Sequence, residues 1–178
     1  RIVPSTINVR ASANTPVTVY ALRRDGFDGE ILLGLKDAPR GFFLSGGRIP
    51  AGQEKIQVTL TAPPAPLDQP CDLRVVGVGK IGPREVVHSA VPADDMMQAF
   101  LYRHLVTTRE LKVAVTGRGS PSRLLAPTPL RIAAGGEARL QVAAVAARNA
   151  TGVKLELNEP PEGISVKQTR TTRDGYEV

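Results

Sequence analysis

The sequence is poor in the residues that most often announce a chemistry. It has no tryptophan, one cysteine, two histidines and two methionines among 178 residues. A single cysteine, Cys71, excludes a disulfide within the chain and with it a disulfide-stapled mini-fold. Structural and catalytic zinc sites take three or four protein ligands. One cysteine plus His88 and His104, far apart in sequence, do not supply them, so no metal site is expected from these residues. Aromatics make up 4 % of the chain, and any core must be built from Val, Leu, Ile and Ala. No apolar run approaches the roughly 20 residues a membrane-spanning helix needs, which speaks against membrane insertion. The sequence starts at Arg1 without an initiator Met or a signal peptide, and the expectation is an excised piece of a longer protein or a mature form.

What is present is turn chemistry and charge. Seventeen glycines and fifteen prolines are spread along the chain, a pattern that suits many short strands joined by turns. The net charge is +6. The basic residues are scattered rather than clustered and few aromatics interleave with them, so the footprint of a nucleic-acid binder is missing.

The main internal signal is a repeat. Ile7, Val9 and Ala11 match Leu130, Ile132 and Ala134. Val17, Val19 and Ala21 match Leu140, Val142 and Ala144, and Gly29 matches Gly152, all at a constant spacing of 123 residues. One residue then drops out. Ile31, Leu33 and Leu35 match Val153, Leu155 and Leu157, and Pro39, Gly41 and Phe42 match Pro161, Gly163 and Ile164. The matched positions are alternating apolar residues and turn residues, which are the ones a β fold needs.

The alternation predicts strands. Val17–Leu22 reads as one, with Glu30–Lys36 as its partner beyond a polar loop. Val153, Leu155 and Leu157 face inward in the second copy, with Lys154 and Glu156 outward. A turn at Pro50–Gly52 leads into a strand with Ile56, Val58 and Leu60 inward. "CDLRVVGVGKIG" and "REVVHSAV" read as a hairpin turning near Ile81–Pro83, and Glu110–Gly117 as a last strand. Short strands at this spacing argue for an all-β sandwich or barrel. The segment 94–105 is open between a short helix and a bent strand; in either case Met96, Met97, Phe100, Leu101 and Leu105 are expected in the core. "GRGSPSRLLAPTP" lacks strand alternation and is rich in Gly, Ser and Pro. The expected organisation is therefore a β-sandwich over 1–117, a linker over 118–129 and the first part of a second, homologous sandwich over 130–178. Positions answering to Val58–Gly117 are absent from the second copy, and the natural polypeptide is expected to continue.

The residues offer little catalytic material. There is no G-x-S-x-G elbow and no phosphate loop, and nothing beside Cys71 would lower its pKa. No catalytic residue is assigned and no cofactor is expected. Asp25 and Asp28 in "RDGFDG" are the candidate cation ligands, with Asp94 and Asp95 a second acidic pair. Calcium wants six to eight oxygens, however, and Asp-Gly pairs make turns, so the turn reading is preferred. Asn149-Ala150-Thr151 matches a glycosylation acceptor and is read as a turn. Phe27, Phe43 and Tyr102 are the aromatics placed to stack on a sugar, with Phe27 and Tyr102 retained as candidate ligand-binding residues; Phe42 matches Ile164 and is expected in the core.

The pattern "VYALRRDGFDGEILLGLKDAPRGF…IPAG…VTLTA" resembles the bacterial immunoglobulin-like and fibronectin-III-like modules of large secreted proteins, of the kind found near pre-peptidase C-terminal domains. "VPADDMMQAFLYRHLV" and "ELKVAV" look like a module's final segment. The resemblance covers the first domain and the first half of the second. It implies tandem immunoglobulin-like sandwiches, the second incomplete, and an extracellular, periplasmic or cell-surface location. It also implies a non-catalytic spacing, positioning or adhesive role, with the other domains of the same parent polypeptide as partners and polysaccharide or a cell-envelope protein as alternative ones. The group shares no catalytic residues, so none is carried over.

Overall fold

The structure is a computed structural model that describes residues 1–97, 102–119, 122–125, 130–144, 155, 157, 160 and 162–178. All regular elements among the described residues are β-strands, and no helix is long and apolar enough to cross a membrane. The chain divides into two compact units, Arg1–Gly119 and Ser120–Val178.

The first unit carries β1 (Ile2–Val3), β2 (Thr6–Ala11), β3 (Asn14–Tyr20), β4 (Ile31–Lys36), β5 (Phe43–Ser45), β6 (Arg48–Ile49), β7 (Lys55–Thr61), β8 (Cys71–Ile81), β9 (Arg84–Ser89), β10 (Ala93–Met97), β11 (Arg103–Thr107) and β12 (Leu111–Arg118). One sheet has the order β1-β3-β7-β5; a second has the order β2-β12-β8-β4-β6, with β9 also pairing β8. Alternation decides the burial. In β2, Ile7, Val9 and Ala11 are buried and the residues between them exposed; in β12, Leu111, Val113 and Val115 are buried and the residues between them half-buried. They join Ile2, Val17, Val58 and Leu60 of the other sheet in one apolar cluster, and the two sheets thus form a sandwich around a shared core. Each fully buried Val, Leu or Ile contributes about 1.5–3 kcal/mol relative to an exposed one.

Several expectations need correcting. β3 and β4 are not partners: β3 pairs with β1 and β7, and β4 with β6 and β8. Alternation reports which face of a strand is buried, not which sheet it joins. The loop between them is long enough to carry the chain across the sandwich. Segment 94–105 contains strands on both sides of 98–101, with Met97 opposite Arg103 and Ala93 opposite Thr107. Met96 and Met97 are 52 % and 63 % exposed rather than in the core, because β10 and β11 pair only with each other among the described residues. Phe100 and Leu101 lie outside the described residues. Three other readings of the first unit fit: Ile81 faces Arg84 across the expected turn, Gly52 turns with φ 76°, and Phe42 is buried.

The β10–β11 hairpin is anchored at its base. The Asp94 carboxylate accepts from both the amide (3.0 Å) and the hydroxyl (2.8 Å) of Ser5, a buried polar residue. Arg1 donates to the Leu105 carbonyl at 3.0 Å. Asp95 is held by Arg103 at 3.2 Å.

The second unit contains β13 (Ser122–Leu124), β14 (Gln141–Ala144), β15 (Arg170–Thr172) and β16 (Gly175–Glu177), in the order β13-β14-β16-β15. This is the order of β1-β3-β7-β5, first-second-fourth-third along the chain, and every neighbouring pair is antiparallel in both. The register is displaced. Val19 faces Ile56, whereas Val142 faces Tyr176 and Leu140 exchanges both backbone hydrogen bonds with Val178 (2.7 and 2.8 Å). A displacement of two residues keeps every side chain on its own face. Gly41 and Gly163, matched by the repeat, both turn with positive φ (92° and 84°).

The stretch read as a strandless linker, 118–129, contains β13. Leu130 and Ile132, matched to β2, are in no strand and are each 38 % exposed. In the first unit the matching strand β2 is held by parallel pairing to β12. Of the strand expected at 153–158, Leu155 and Leu157 are described and are not in a strand. The other positions, Gly152 and the Asn149-Ala150-Thr151 turn lie outside the described residues.

Candidate functional site

The candidate site is a cleft of about 780 Å³ in the first unit, built between the ends of the two sheets. Its floor is the inner face of the second sheet. Leu73 and Val75 in β8 point into the core, so by alternation Gly77 and Gly79 do too. Leu33 and His88 flank Gly77, and Ile31 and Val86 flank Gly79. Each row is a side chain, a glycine and a side chain, and neighbouring side chains pack over the glycines of this floor: a Cβ at Gly77 would lie 3.0 Å from Ile31 and one at Gly79 3.0 Å from the Phe27 ring. Val19 and Ala21 of the first sheet face this floor.

Loop 21–30 closes one end. Asp25 and Gly26 form its turn with φ 54° and 74°, a conformation Asp and Gly tolerate better than other residues. The turn carries Phe27 back over the sheet. A Cβ at Gly79 would lie 3.0 Å from the Phe27 ring, and one at Gly29 would lie equally near; both glycines make room for that ring. Arg23 lies over the ring, 5.7 Å from its centroid. Its guanidinium donates to the carbonyls of Gly29 (2.7 Å), Pro50 (2.8 Å) and Gln53 (3.1 Å), and Asp28 stands 3.8 Å away. Only 12 % of the Arg23 side chain is exposed. One residue thus ties loop 21–30 to the loop at 50–53.

The sequence candidates fall as follows. Asp25 is an exposed turn residue, and Asp28 is exposed beside Arg23. Asp94 is engaged by Ser5 and Asp95 by Arg103. No group of three or more His, Cys, Asp or Glu side chains among the described residues is placed to hold a metal ion. Phe27 lines the cleft as a half-buried wall with Arg23 over it. Tyr102 is 74 % exposed and Phe43 66 % exposed, and neither lines the cleft. His88 reaches the cleft, but its neighbour Ser89 faces the opposite side of β9, so the two form no hydroxyl–imidazole pair. Burial pushes the Cys71 thiol up, with the adjacent Asp72 charge adding to the effect. That is the environment of an inert thiol rather than a nucleophile.

Two features escaped sequence reasoning. Arg23 read as one scattered cation among many. The glycine floor did have a signal: "VVGVGK" alternates Val with Gly, and glycine within a strand marks a close approach.

No protein-family model matches the chain, and no curated protein matches it. Among solved structures, the chain is similar to one from a study described as "Chaperone-tip adhesin complex is vital for synergistic activation of CFA/I fimbriae biogenesis". The identity is 10 % over 88 % of this chain and 94 % of that chain, with a TM-score of 0.37. A superposition that loose carries no functional argument.

Proposed function

We propose that the chain is a non-catalytic β module of an exported bacterial protein, whose work is to space, position or attach the other domains of its parent polypeptide. It is read as tandem immunoglobulin-like sandwiches, with residues 130–178 belonging to the second. The observation that carries this is the recurrence in both units of one strand order and of one positive-φ turn glycine, Gly41 in the first and Gly163 in the second, as expected of beads in a series. The location is extracellular, periplasmic or on the cell surface, in line with the modules the sequence resembles. A pull-down of the whole chain on insoluble polysaccharides and bacterial envelopes tests it. No retention at low or high salt is the expected result. Retention that high salt abolishes reports the +6 charge adhering to acidic surfaces, and retention that survives high salt overturns the pure spacer reading.

The second reading is a binding module that uses the loop end of the first sandwich, with polysaccharide, cell wall or protein as the partner class. The cleft favours it, since a concave, largely apolar site on a rigid scaffold is where such modules bind.

A further inference from the structure

The edges of the two sandwich sheets are guarded unequally. An edge strand presents unpaired amides and carbonyls, and proteins blunt it by making it short, bulged, proline-bearing or charged. β1, β5 and β6 are two or three residues long. β2 has six residues, but those it exposes are Thr6, Asn8 and Arg10, all polar. β9 also has six, with neither proline nor bulge: it runs in unbroken register with β8 from the Ile81–Arg84 pair to the Val76–Ser89 pair. Its Arg84 and Glu85 sit together at one end. Among the described residues β9 pairs with β8 alone, and all its residues but Val86 are exposed.

The ladder fixes which groups of β9 are open. Ala90 N–H donates to the Val75 carbonyl at 2.8 Å. Residues 84, 86 and 88 therefore turn their amides and carbonyls to β8 as well, and Glu85, Val87 and Ser89 turn theirs to the open side. The side chains of these three stand on the outer face of the sheet, opposite Lys80, Val78 and Val76. Leu32, Val78 and Val87 make one apolar row across that face, and it ends at the open edge on Val87, 55 % exposed.

We propose that two copies of the chain associate through β9, which pairs antiparallel with its own image across a two-fold axis at Val87. In this register Glu85 faces Ser89 of the second copy, Val86 faces His88, and Val87 faces Val87. The residues with open amides and carbonyls thus meet one another, and each facing pair among them exchanges two hydrogen bonds. No like charges stand opposite each other. A shift of two residues one way sets Pro83, which has no amide, against Ser89. The same shift the other way sets Glu85 against Val91, whose carbonyl already accepts from Ile2 N–H at 3.0 Å. The apolar row becomes continuous through the axis, with Val87 against Val87, a β-branched cross-strand pair of the kind that stabilises sheets. The contact occupies the open edge of β9 in both copies, so the assembly closes at two. A six-residue edge is small for a stable interface, and the association belongs to the weak, concentration-dependent class. The proposal adds a contact between copies to the module and stands apart from both readings of its function.

The test is sedimentation equilibrium of the full chain from micromolar to near-millimolar concentration. Moderate salt screens the +6 charge of each copy, and reductant keeps Cys71 from cross-linking copies. The mass is expected to climb from 19.0 kDa towards twice that value and no further. Val87→Pro removes the amide at the axis. That amide points away from β8, so the ladder is kept, and the variant should remain monomeric with an unchanged far-UV circular dichroism spectrum. Val87→Lys, which sets two ammonium groups face to face, does the same work if the proline disturbs β9. Ser89→Lys, facing Glu85 of the second copy, should tighten the dimer and Ser89→Glu should loosen it, each by about fivefold. A mass that stays at 19.0 kDa at every concentration would overturn the proposal. Association that survives both substitutions at Val87 would remove β9 as its location. Equal effects of Ser89→Lys and Ser89→Glu would refute the register, and growth past two copies would refute closure at the axis.

Discussion

Arg23 is the residue on which the loop end of the first unit depends, and its replacement is the sharpest test of this structure. Arg23→Met keeps the aliphatic stem of the side chain and removes the charge, every donor and the guanidinium that lies over Phe27. Three carbonyls, those of Gly29, Pro50 and Gln53, lose their partner. A hydrogen bond to a charged group contributes about 1.5–3 kcal/mol when well buried. Here two of the three acceptors are exposed and water replaces the donor there, so the expected total is about 2–3 kcal/mol rather than the full sum. For a unit of this size that lowers the melting temperature by about 8–12 °C. Arg23→Lys should recover only part of this, since an ammonium cannot span carbonyls on two loops at once. The decisive readout is local. Phe27 N–H donates to Arg24 O at 3.0 Å and Gly52 N–H to Asp28 O at 3.2 Å. Hydrogen exchange at these two amides should accelerate in Arg23→Met while amides of β7 and β12 keep their protection. Unchanged exchange at Phe27 and Gly52, or a melting shift below about 2 °C, would refute the account of Arg23 as the tie between the loops.

Four further outcomes follow from the same structure. Asp94→Ala strands the buried Ser5 amide and hydroxyl and should cost about 2–4 kcal/mol by urea denaturation, whereas Asp94→Asn, which still presents an oxygen and lets the Ser5 hydroxyl rotate to accept, should cost about 1 kcal/mol; equal losses would remove the Ser5 lock. Gly41→Ala and Gly163→Ala both meet a positive φ, but a Cβ at Gly41 also lies 2.8 Å from Pro63 and one at Gly163 meets nothing; thermal melts should show the larger loss at Gly41, by about 1 kcal/mol or more. Cys71, with its thiol pKa raised by burial, holds less thiolate than a free thiol at pH 7–8. Its alkylation by iodoacetamide should therefore be slower than that of glutathione and rise at higher pH than glutathione's, and faster alkylation at neutral pH would contradict the environment described. Val113→Ala, at a fully buried position, should cost about 2–3 kcal/mol, while Val87→Ala, 55 % exposed on β9, should move stability by less than about 0.5 kcal/mol.

The legible part of the fold was the part written as alternation. Ile7, Val9, Val17 and Val58 each sit among polar or turn residues at a period of two, and each is buried. Gly41 and Gly163 stand where the repeat puts a turn, and both take the positive φ that glycine permits without strain. Local patterning fails where it underdetermines the partner. Met96 and Met97 look like core residues because they are large and apolar, yet β10 and β11 form a ribbon with no sheet laid over these two side chains among the described residues. Ser122–Leu124 looks like linker because three residues are too few to show a period.

The candidate site was less legible for a related reason. Phe27 could be picked out as an aromatic in a loop, but its role as a wall depends on Gly79, fifty-two positions away, being bare at that point of β8. Arg23 gains its meaning only from carbonyls on two loops that the sandwich brings together. By itself the sequence determined that the chain is all-β, that its core is aliphatic, where its turns fall and that a segment recurs, because these follow from side-chain period and backbone freedom within a few residues. Only the tertiary structure decided which strands share a sheet, that β4 crosses to the second sheet, and that the Phe27 ring packs onto the glycines of β8 at the floor of one cleft. Those outcomes are set by contacts between residues far apart in the chain, on which local periodicity is silent.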